Sequence, residues 1–314
     1  MEMRRLGSNG PEISVVGFGA WEAGSDMWQP GRTDDDAIAA IRAGLDAGIN
    51  WIDTAEVYGD GRSEALVAEA IAGRRDEVLI FTKVNPWRSG TRPEDVPRAI
   101  EGSLSRLRTD HVDLYQVHWP AEDVAPLEDT WGAMAELVDA GLTRWIGVSN
   151  FRAEQIERCE PIRHVDSTQN RFSLLAQRDR DDLLPWLTER GTGYLGYAPL
   201  AFGLLTGAIT AETVFDEGDW RSGTRDVGYY DEYFAPDVRP GHLEKVDRLG
   251  SVAERLGVPT ATLALRAPLA TPGITGLIAG SVNAAHTVEN ARAADVQLDD
   301  ETLTEIDEIF RSAT

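Results

Sequence analysis

Short apolar, β-branched runs alternate with longer stretches of helical periodicity along most of the chain. Eight runs read as strands, over residues 14–19, 49–53, 78–83, 112–118, 145–148, 165–169, 194–197 and 276–280. Between them lie helix signals. An acidic first turn at 33–36 precedes the apolar repeat 37–45, where the helix dipole favours negative charge. A second helix is predicted over 62–71, a third opens at 93–95, and a fourth runs from 126 to 140 and is closed by Gly141. Regular strand–helix alternation implies parallel strands joined by helical crossovers. Eight repeats suit an α/β fold of the (β/α)8 TIM-barrel type, which needs about 250 residues plus insertions. An open, doubly wound sheet is the runner-up.

That runner-up requires a phosphate-binding glycine fingerprint after its first strand. Gly17-Phe18-Gly19 begins one, but the third glycine position is Glu22, and Ala20-Trp21-Glu22 is not expected to open a helix. The pair reads instead as a glycine-rich strand end. Two additions decorate the barrel. Asn9-Gly10 between short extended runs predicts a β-hairpin over 3–14. A polar insert at 206–241, after the seventh strand, carries Trp220, Tyr229, Tyr230 and Tyr233 and reads as a partly ordered lid. No linker divides the chain, so one domain over 1–314 is expected.

Charge narrows the partners. The 314 residues include 53 acidic and 30 basic side chains, for a formal net charge of −23. Nucleic-acid phosphates and anionic membrane surfaces would repel such a chain. No run approaches the roughly 18 apolar residues of a membrane span, and the N-terminus has no apolar signal core, so a cytoplasmic protein is expected. Cys159 is the single cysteine, which rules out an intrachain disulfide. Only Lys83 and Lys245 are lysines, against 28 arginines. A bias this strong draws attention to each lysine that survives it.

In the predicted architecture, chemistry gathers where strands end. The second strand ends at Asp53, with Tyr58 five residues on; the third ends at Lys83, the fourth at His118. A lysine closing the run Val-Leu-Ile-Phe-Thr needs a partner, and Asp53 is the natural one. A phenol with an ordinary pKa near 10 releases its proton more readily beside an ammonium, so Lys83 is expected to lower the pKa of Tyr58. His118 would orient a substrate oxygen. Such a site protonates an oxyanion as it forms. Neither a nucleophile–base pair nor a clustered metal-ligand spacing is evident, so acyl transfer and a metal site are not expected.

These residues carry a resemblance. Asp53-Thr54-Ala55-Glu56-Val57-Tyr58-Gly59, Lys83, His118, Gly147-Val148-Ser149-Asn150-Phe151, Gln169-Asn170, Tyr197-Ala198-Pro199-Leu200 and Gly280-Ser281 through Glu289-Asn290 resemble the aldo-keto reductases, in order and each at a strand end. The insert looks most like bacterial members related to potassium-channel β-subunits. The resemblance implies reversible reduction of an aldehyde, ketone or sugar carbonyl by NADP(H) or NAD(H). Tyr58 would be the general acid, tuned by Lys83 and Asp53, with His118 orienting the carbonyl. It also implies that Ser149, Asn150 and Gln169 bind the cofactor carboxamide, that Tyr197 stacks on the nicotinamide, and that Gly19, Ala20 and Trp21 approach it. Leu200, Gly203 and Leu205 would follow the pyrophosphate, Asp53, Ala198 and Pro199 would also contact the cofactor, and Gly280, Ser281, Asn283, His286, Glu289 and Asn290 would surround the adenosine. Trp21, Trp87, Trp119 and Phe151 are candidate substrate walls.

One departure stands out. Members selective for NADP usually place Arg or Lys in the last loop, whereas residues 280–291 contain neither, so use of NADH is expected. His286, Arg221 or Arg225 would be left to meet a 2′-phosphate. Two other functions fit the same residues: a redox-sensing accessory protein with slow turnover, and a barrel lyase or epimerase that uses Tyr58 and Lys83 for proton transfer. The sequence sets no oligomeric state.

Overall fold

The computed structural model describes residues 1–25, 27–28, 31–225 and 227–311. A two-stranded hairpin, β1 (Met3–Arg5) and β2 (Glu12–Ser14), leads into eight parallel strands that close into a barrel. The barrel strands are β3 (Val16–Gly19), β4 (Trp51–Asp53), β5 (Leu79–Val84), β6 (Val112–Val117), β7 (Thr143–Ser149), β8 (Ser167–Arg171), β9 (Gly193–Tyr197) and β10 (Gly276–Gly280). They pair in chain order, and β10 closes on β3. The (β/α)8 expectation therefore holds and the open sheet falls.

Crossover helices cover the outside. They are α2 (Asp34–Asp46), α3 (Arg62–Ala70), α4 (Asp95–Leu107), α5 (Leu127–Asp139), α6 (Ala153–Cys159), α7 (Leu183–Arg190) and α10 (Thr260–Leu269), followed by α11 (Ala284–Arg292) and α12 (Asp300–Arg311). The short α1 (Trp21–Gly24) and α8 (Tyr230–Tyr233), and the long α9 (Arg239–Leu256), belong to the irregular end. α2 begins where its sequence predicts. The Thr33 hydroxyl accepts from the Asp36 N–H at 3.2 Å, and the Asp36 carboxylate accepts from the Thr33 N–H at 3.0 Å, a reciprocal cap that satisfies two otherwise orphaned donors. Among the described residues no helix is long and apolar enough to cross a membrane.

The barrel interior is plugged from below. Leu6, Ile13, Trp51, Phe81, Leu114 and Leu195 are buried in one cluster, and the Trp51 Nε1–H donates to the Ser14 carbonyl at 2.8 Å. This explains Gly17. A Cβ there would stand 2.2 Å from the Trp51 ring, so the first glycine of the abortive fingerprint makes room for a tryptophan, not a phosphate.

Three expectations need correction. The run 14–19 is not one strand: Ser14 pairs with Met3 in the hairpin, while Val16 pairs with Leu277 in the barrel. The hairpin does not turn on Asn9-Gly10. Its left-handed residue is Gly7, with φ 64°, and Gly10 instead lies against the Leu6 carbonyl, which a Cβ would approach to 2.1 Å. Finally, Trp21-Glu22 does open a helix, the single turn α1. The Ser63 hydroxyl holds the Ala20 carbonyl at 2.7 Å and the turn packs on α3, a long-range constraint invisible to local propensity.

Candidate active site

The C-terminal end of the barrel opens into a cavity of about 1020 Å³. Strand geometry delivers its floor. Asp53 ends β4 and Lys83 lies near the end of β5. His118 sits one residue past β6, where its N–H donates to the Val84 carbonyl at 3.0 Å. Tyr58 follows β4 on a tight turn in which Gly59, Asp60 and Gly61 all take positive φ. A Cβ at Gly59 would stand 1.8 Å from the Gly24 carbonyl, so only glycine lets the turn press against α1 and aim Tyr58 inward.

The four side chains form one connected group. Lys83 is wholly buried; its Nζ donates to Asp53 Oδ1 at 2.6 Å and to the Thr54 carbonyl at 2.9 Å. The other Asp53 oxygen accepts from Gln169 Nε2 at 2.7 Å. Lys83 Nζ lies 5.5 Å from the Tyr58 ring centroid, and the Tyr58 and His118 rings are 5.7 Å apart at 79°.

The electrostatics correct the expected tuning of Tyr58. Burial, then the charge of Asp53, then Tyr229, hold its phenol well above the ordinary value of 10. Lys83 spends its ammonium on Asp53 and does not pull the phenol down. Burial lowers the pKa of Lys83, against the opposing pull of Asp53. Burial and the Lys83 charge hold His118 well below its ordinary 6.5. The resting floor is thus a neutral phenol carrying its proton beside a neutral imidazole, an arrangement suited to donating a hydrogen bond.

The other expected contacts divide. Ser149, Asn150, Gln169 and Tyr197 line the cavity near the floor. They already bond one another: the Ser149 hydroxyl donates to the Gln169 carbonyl at 2.8 Å, Asn150 Nδ2 donates to the His118 carbonyl at 3.1 Å, and the Tyr197 hydroxyl donates to Asn150 Oδ1 at 2.9 Å. Gly19, Ala20, Trp21, Ala198, Pro199, Leu200 and Gly203 continue the lining, and Gly280, Ser281, His286, Glu289 and Asn290 form its far end. Leu205 does not join them; it is buried in the core and its N–H donates to the Leu200 carbonyl at 3.1 Å. Asn283 is occupied as the cap of α11, accepting from the Ala285 N–H at 2.9 Å. Of the proposed walls, Trp21 and Trp119 line the cavity. Trp87 is 62% exposed and lies outside the lining, its ring centroid 6.4 Å from that of Trp119. Phe151 is packed in the core at 1% exposure, so it cannot be a wall.

The structure also brings in residues that sequence reasoning passed over. The insert folds over the cavity. Tyr229 places its hydroxyl 3.2 Å from that of Tyr197 and stacks on Phe202 at 4.8 Å. Arg171 anchors this turn, with its guanidinium 5.3 Å from the Tyr229 ring and paired to Glu232 at 2.7 Å. Arg221 reaches the lining as envisaged, but Asp219 grips it at 2.9 and 2.6 Å; Arg225 is exposed and stays outside. Glu22, Trp28 and Arg32 line the cavity as well. Tyr229 was signalled by the aromatic run in the insert, whereas no local pattern marked Glu22.

The shape suits an extended dinucleotide. The lining runs unbroken from Tyr58 to Asn290, past a loop in which Ala198, Ala201, Phe202 and Gly203 all have positive φ. Comparison with known proteins agrees. The model of the aldo/keto reductase family matches residues 15–311. Aldo-keto reductase YhdN of Bacillus subtilis (strain 168) is 38% identical over 283 residues, 87% of this chain and 82% of that one. A probable voltage-gated potassium channel subunit beta of Oryza sativa subsp. japonica is 29% identical over 94% of this chain and 92% of its own. Among solved structures, an aldo/keto reductase from Klebsiella pneumoniae in complex with NADP and acetate superposes with a TM-score of 0.73, at 30% identity, over 98% of this chain and 96% of that one. The chain belongs to the aldo/keto reductase family, a family of carbonyl-reducing enzymes.

Proposed function

We propose that this protein reversibly reduces an aldehyde, ketone or sugar carbonyl to the alcohol. The observation that carries this reading is the neutral Tyr58 phenol beside neutral His118, backed by the buried Lys83–Asp53 pair, on the floor of a long cavity. His118 hydrogen-bonds the substrate oxygen and orients it. Tyr58 donates a proton to that oxygen as negative charge develops, which confines its strong acidity demand to the transition state. Lys83 neutralises Asp53, whose charge would otherwise oppose the phenolate left there. Trp21, Trp119 and Tyr229 exclude water. A nicotinamide dinucleotide supplies the hydride when bound. Ser149, Asn150 and Gln169 would hold its carboxamide by exchanging their present internal bonds, Tyr197 its ring, Leu200 and Gly203 its pyrophosphate, and Ser281, His286, Glu289 and Asn290 its adenosine.

Either NADPH or NADH serves in this reading, since the far end of the cavity carries His286 and Glu289 where a 2′-phosphate would need Arg or Lys. The test is loss of reduced-cofactor absorbance with a panel of aldehydes, ketones and sugars. A preference for NADPH above about 100-fold in kcat/KM, roughly 2.7 kcal/mol, would refute the cofactor part. The similarity to a potassium-channel subunit favours a second reading, a redox-sensing accessory protein. Tight dinucleotide binding without turnover on any carbonyl would select it.

A further inference from the structure

Within the proposed dinucleotide site, the lid side carries a charge cluster that the reduction chemistry does not use. Glu22, Arg32, Asp219 and Arg221 all line the cavity. Glu22 comes from α1, the turn that follows β3, and Asp219 and Arg221 come from the insert. Arg221 sits directly at the backbone of Gly203, where a Cβ would stand 3.2 Å from its Nη1. A pyrophosphate passing Gly203 therefore meets Arg221, and with it the two carboxylates that share its field.

We propose that Glu22 is a proton-coupled gate on dinucleotide binding: its carboxylate binds a proton from solvent more tightly when the pyrophosphate enters, and gives it back when the dinucleotide leaves. Arg221 is already paired with Asp219, at 2.9 and 2.6 Å, so an ionised Glu22 adds a further negative charge to the wall that an incoming dianion must pass. Burial pushes the Glu22 carboxyl up to about 7, with Arg221 and then Arg32 opposing that rise and Asp219 adding to it. The neighbouring charges on the elements packed against α1 are committed elsewhere. Glu64 pairs with Arg106 at 2.6 Å, Arg62 with Asp34, and Asp60 with Arg88; Tyr58 remains a neutral phenol. Glu22 is thus the group of this cluster poised to change charge near neutrality. Below that point it admits the anion, and above it the two repel and release is favoured.

The inference rests on the dinucleotide reading of the cavity, and its test separates the two. The probe is NADH, which has no 2′-phosphate to titrate, followed through quenching of tryptophan fluorescence at about pH 6 and about pH 8.5. The native protein should lose about tenfold in affinity on the alkaline side, one pK unit of coupling. Glu22→Gln should hold the acid-side affinity at both values. His286→Gln, which removes the titratable imidazole at the far end, should keep the native pH dependence. Calorimetry of the native protein in buffers of different ionisation enthalpy should count about half a proton taken up per NADH near about pH 7.5, the maximum for one pK unit of coupling. Equal native affinities at the two pH values, zero protons taken up, or a Glu22→Gln protein that still titrates would each overturn the gate while leaving the dinucleotide site in place. Failure of both NADH and NADPH to bind at any pH would overturn the site and the gate together.

Discussion

The two sides of the cavity are held by different kinds of structure. On the strand side, Asp53, Lys83 and His118 stand at the ends of adjacent β-strands, and the central contact, Lys83 to Asp53 at 2.6 Å, is sealed from water. On the lid side, Phe202, Trp220, Tyr229 and Tyr233 come from loops and single turns and are joined by ring contacts of 4.8–6.4 Å and by the paired arginines Arg171 and Arg221. Strand ends fix atoms through the ladder itself, so the reacting groups are held stiffly. Aromatic contacts tolerate sliding, so the lid side is held less stiffly than the floor. In the function proposed above, one side performs the reaction and the other controls what enters and leaves.

Tyr58→Phe should break the comparison most sharply. It removes the proton donor and nothing else, so kcat should fall about 10²–10⁴-fold while the dinucleotide dissociation constant is unchanged. Near-normal turnover would remove Tyr58 from its role. Lys83→Met leaves Asp53 buried without its ammonium and should lower the unfolding free energy by about 3–5 kcal/mol in denaturant titrations. A loss below about 1 kcal/mol would mean that the floor is not tied together by this pair. Trp220→Ala, on the lid, removes a fully buried ring at a cost of similar size, about 3–5 kcal/mol, but the damage should be local. Amide exchange should rise across 215–235 and stay slow in β5 and β6; acceleration in both would show that lid and barrel open as one unit.

Smaller changes sharpen the same contrast. Tyr229→Phe loses only the hydroxyl contact to Tyr197 and should shift stability by about 0.5–1.5 kcal/mol. Its larger effect should fall on KM, with kcat nearly constant; the reverse split would make Tyr229 part of the chemistry. The smallest effect is on the floor. His118 has a folded pKa well below 6.5, so it stays neutral as pH falls from about 8 to about 6, and the hydride-transfer rate at saturating cofactor should show no His118 titration there. The sign for stability follows: the unfolded chain takes a proton that the folded one refuses, so this residue costs stability as pH drops below about 6.5 and costs nothing above it. An inflection near 6.5 in the transfer rate, abolished by His118→Gln, would contradict a neutral imidazole.

The legible part of the site follows this division. Asp53, Lys83 and His118 stood out because a charged residue closing an apolar strand is locally anomalous, and the strand period says which end it occupies. Trp21 and Tyr197 came from the family resemblance, and both line the cavity. Phe151, named as a wall on the same resemblance, is instead packed in the main core. Asn283, also taken from the resemblance, has its Oδ1 engaged as the cap of α11. The direction of the Tyr58 shift is not legible in the sequence, because adjacent strand ends suggest the neighbouring charge and say nothing of burial, which comes first among its causes. Glu22 escaped notice altogether, since its neighbours Arg221 and Asp219 lie about two hundred residues away along the chain.

What the sequence alone determined is the repeat: eight strand–helix units, their order around a barrel, and the polar groups at the strand ends. These depend on period and on residue type at short range, which a linear pattern records. The tertiary structure decided how the insert folds, which aromatic rings face the cavity, how Asp53 divides its two oxygens between Lys83 and Gln169, and what burial does to Tyr58, His118 and Glu22. Those outcomes depend on which distant groups approach, and on how much water they leave between them. Closure of the chain on itself sets both.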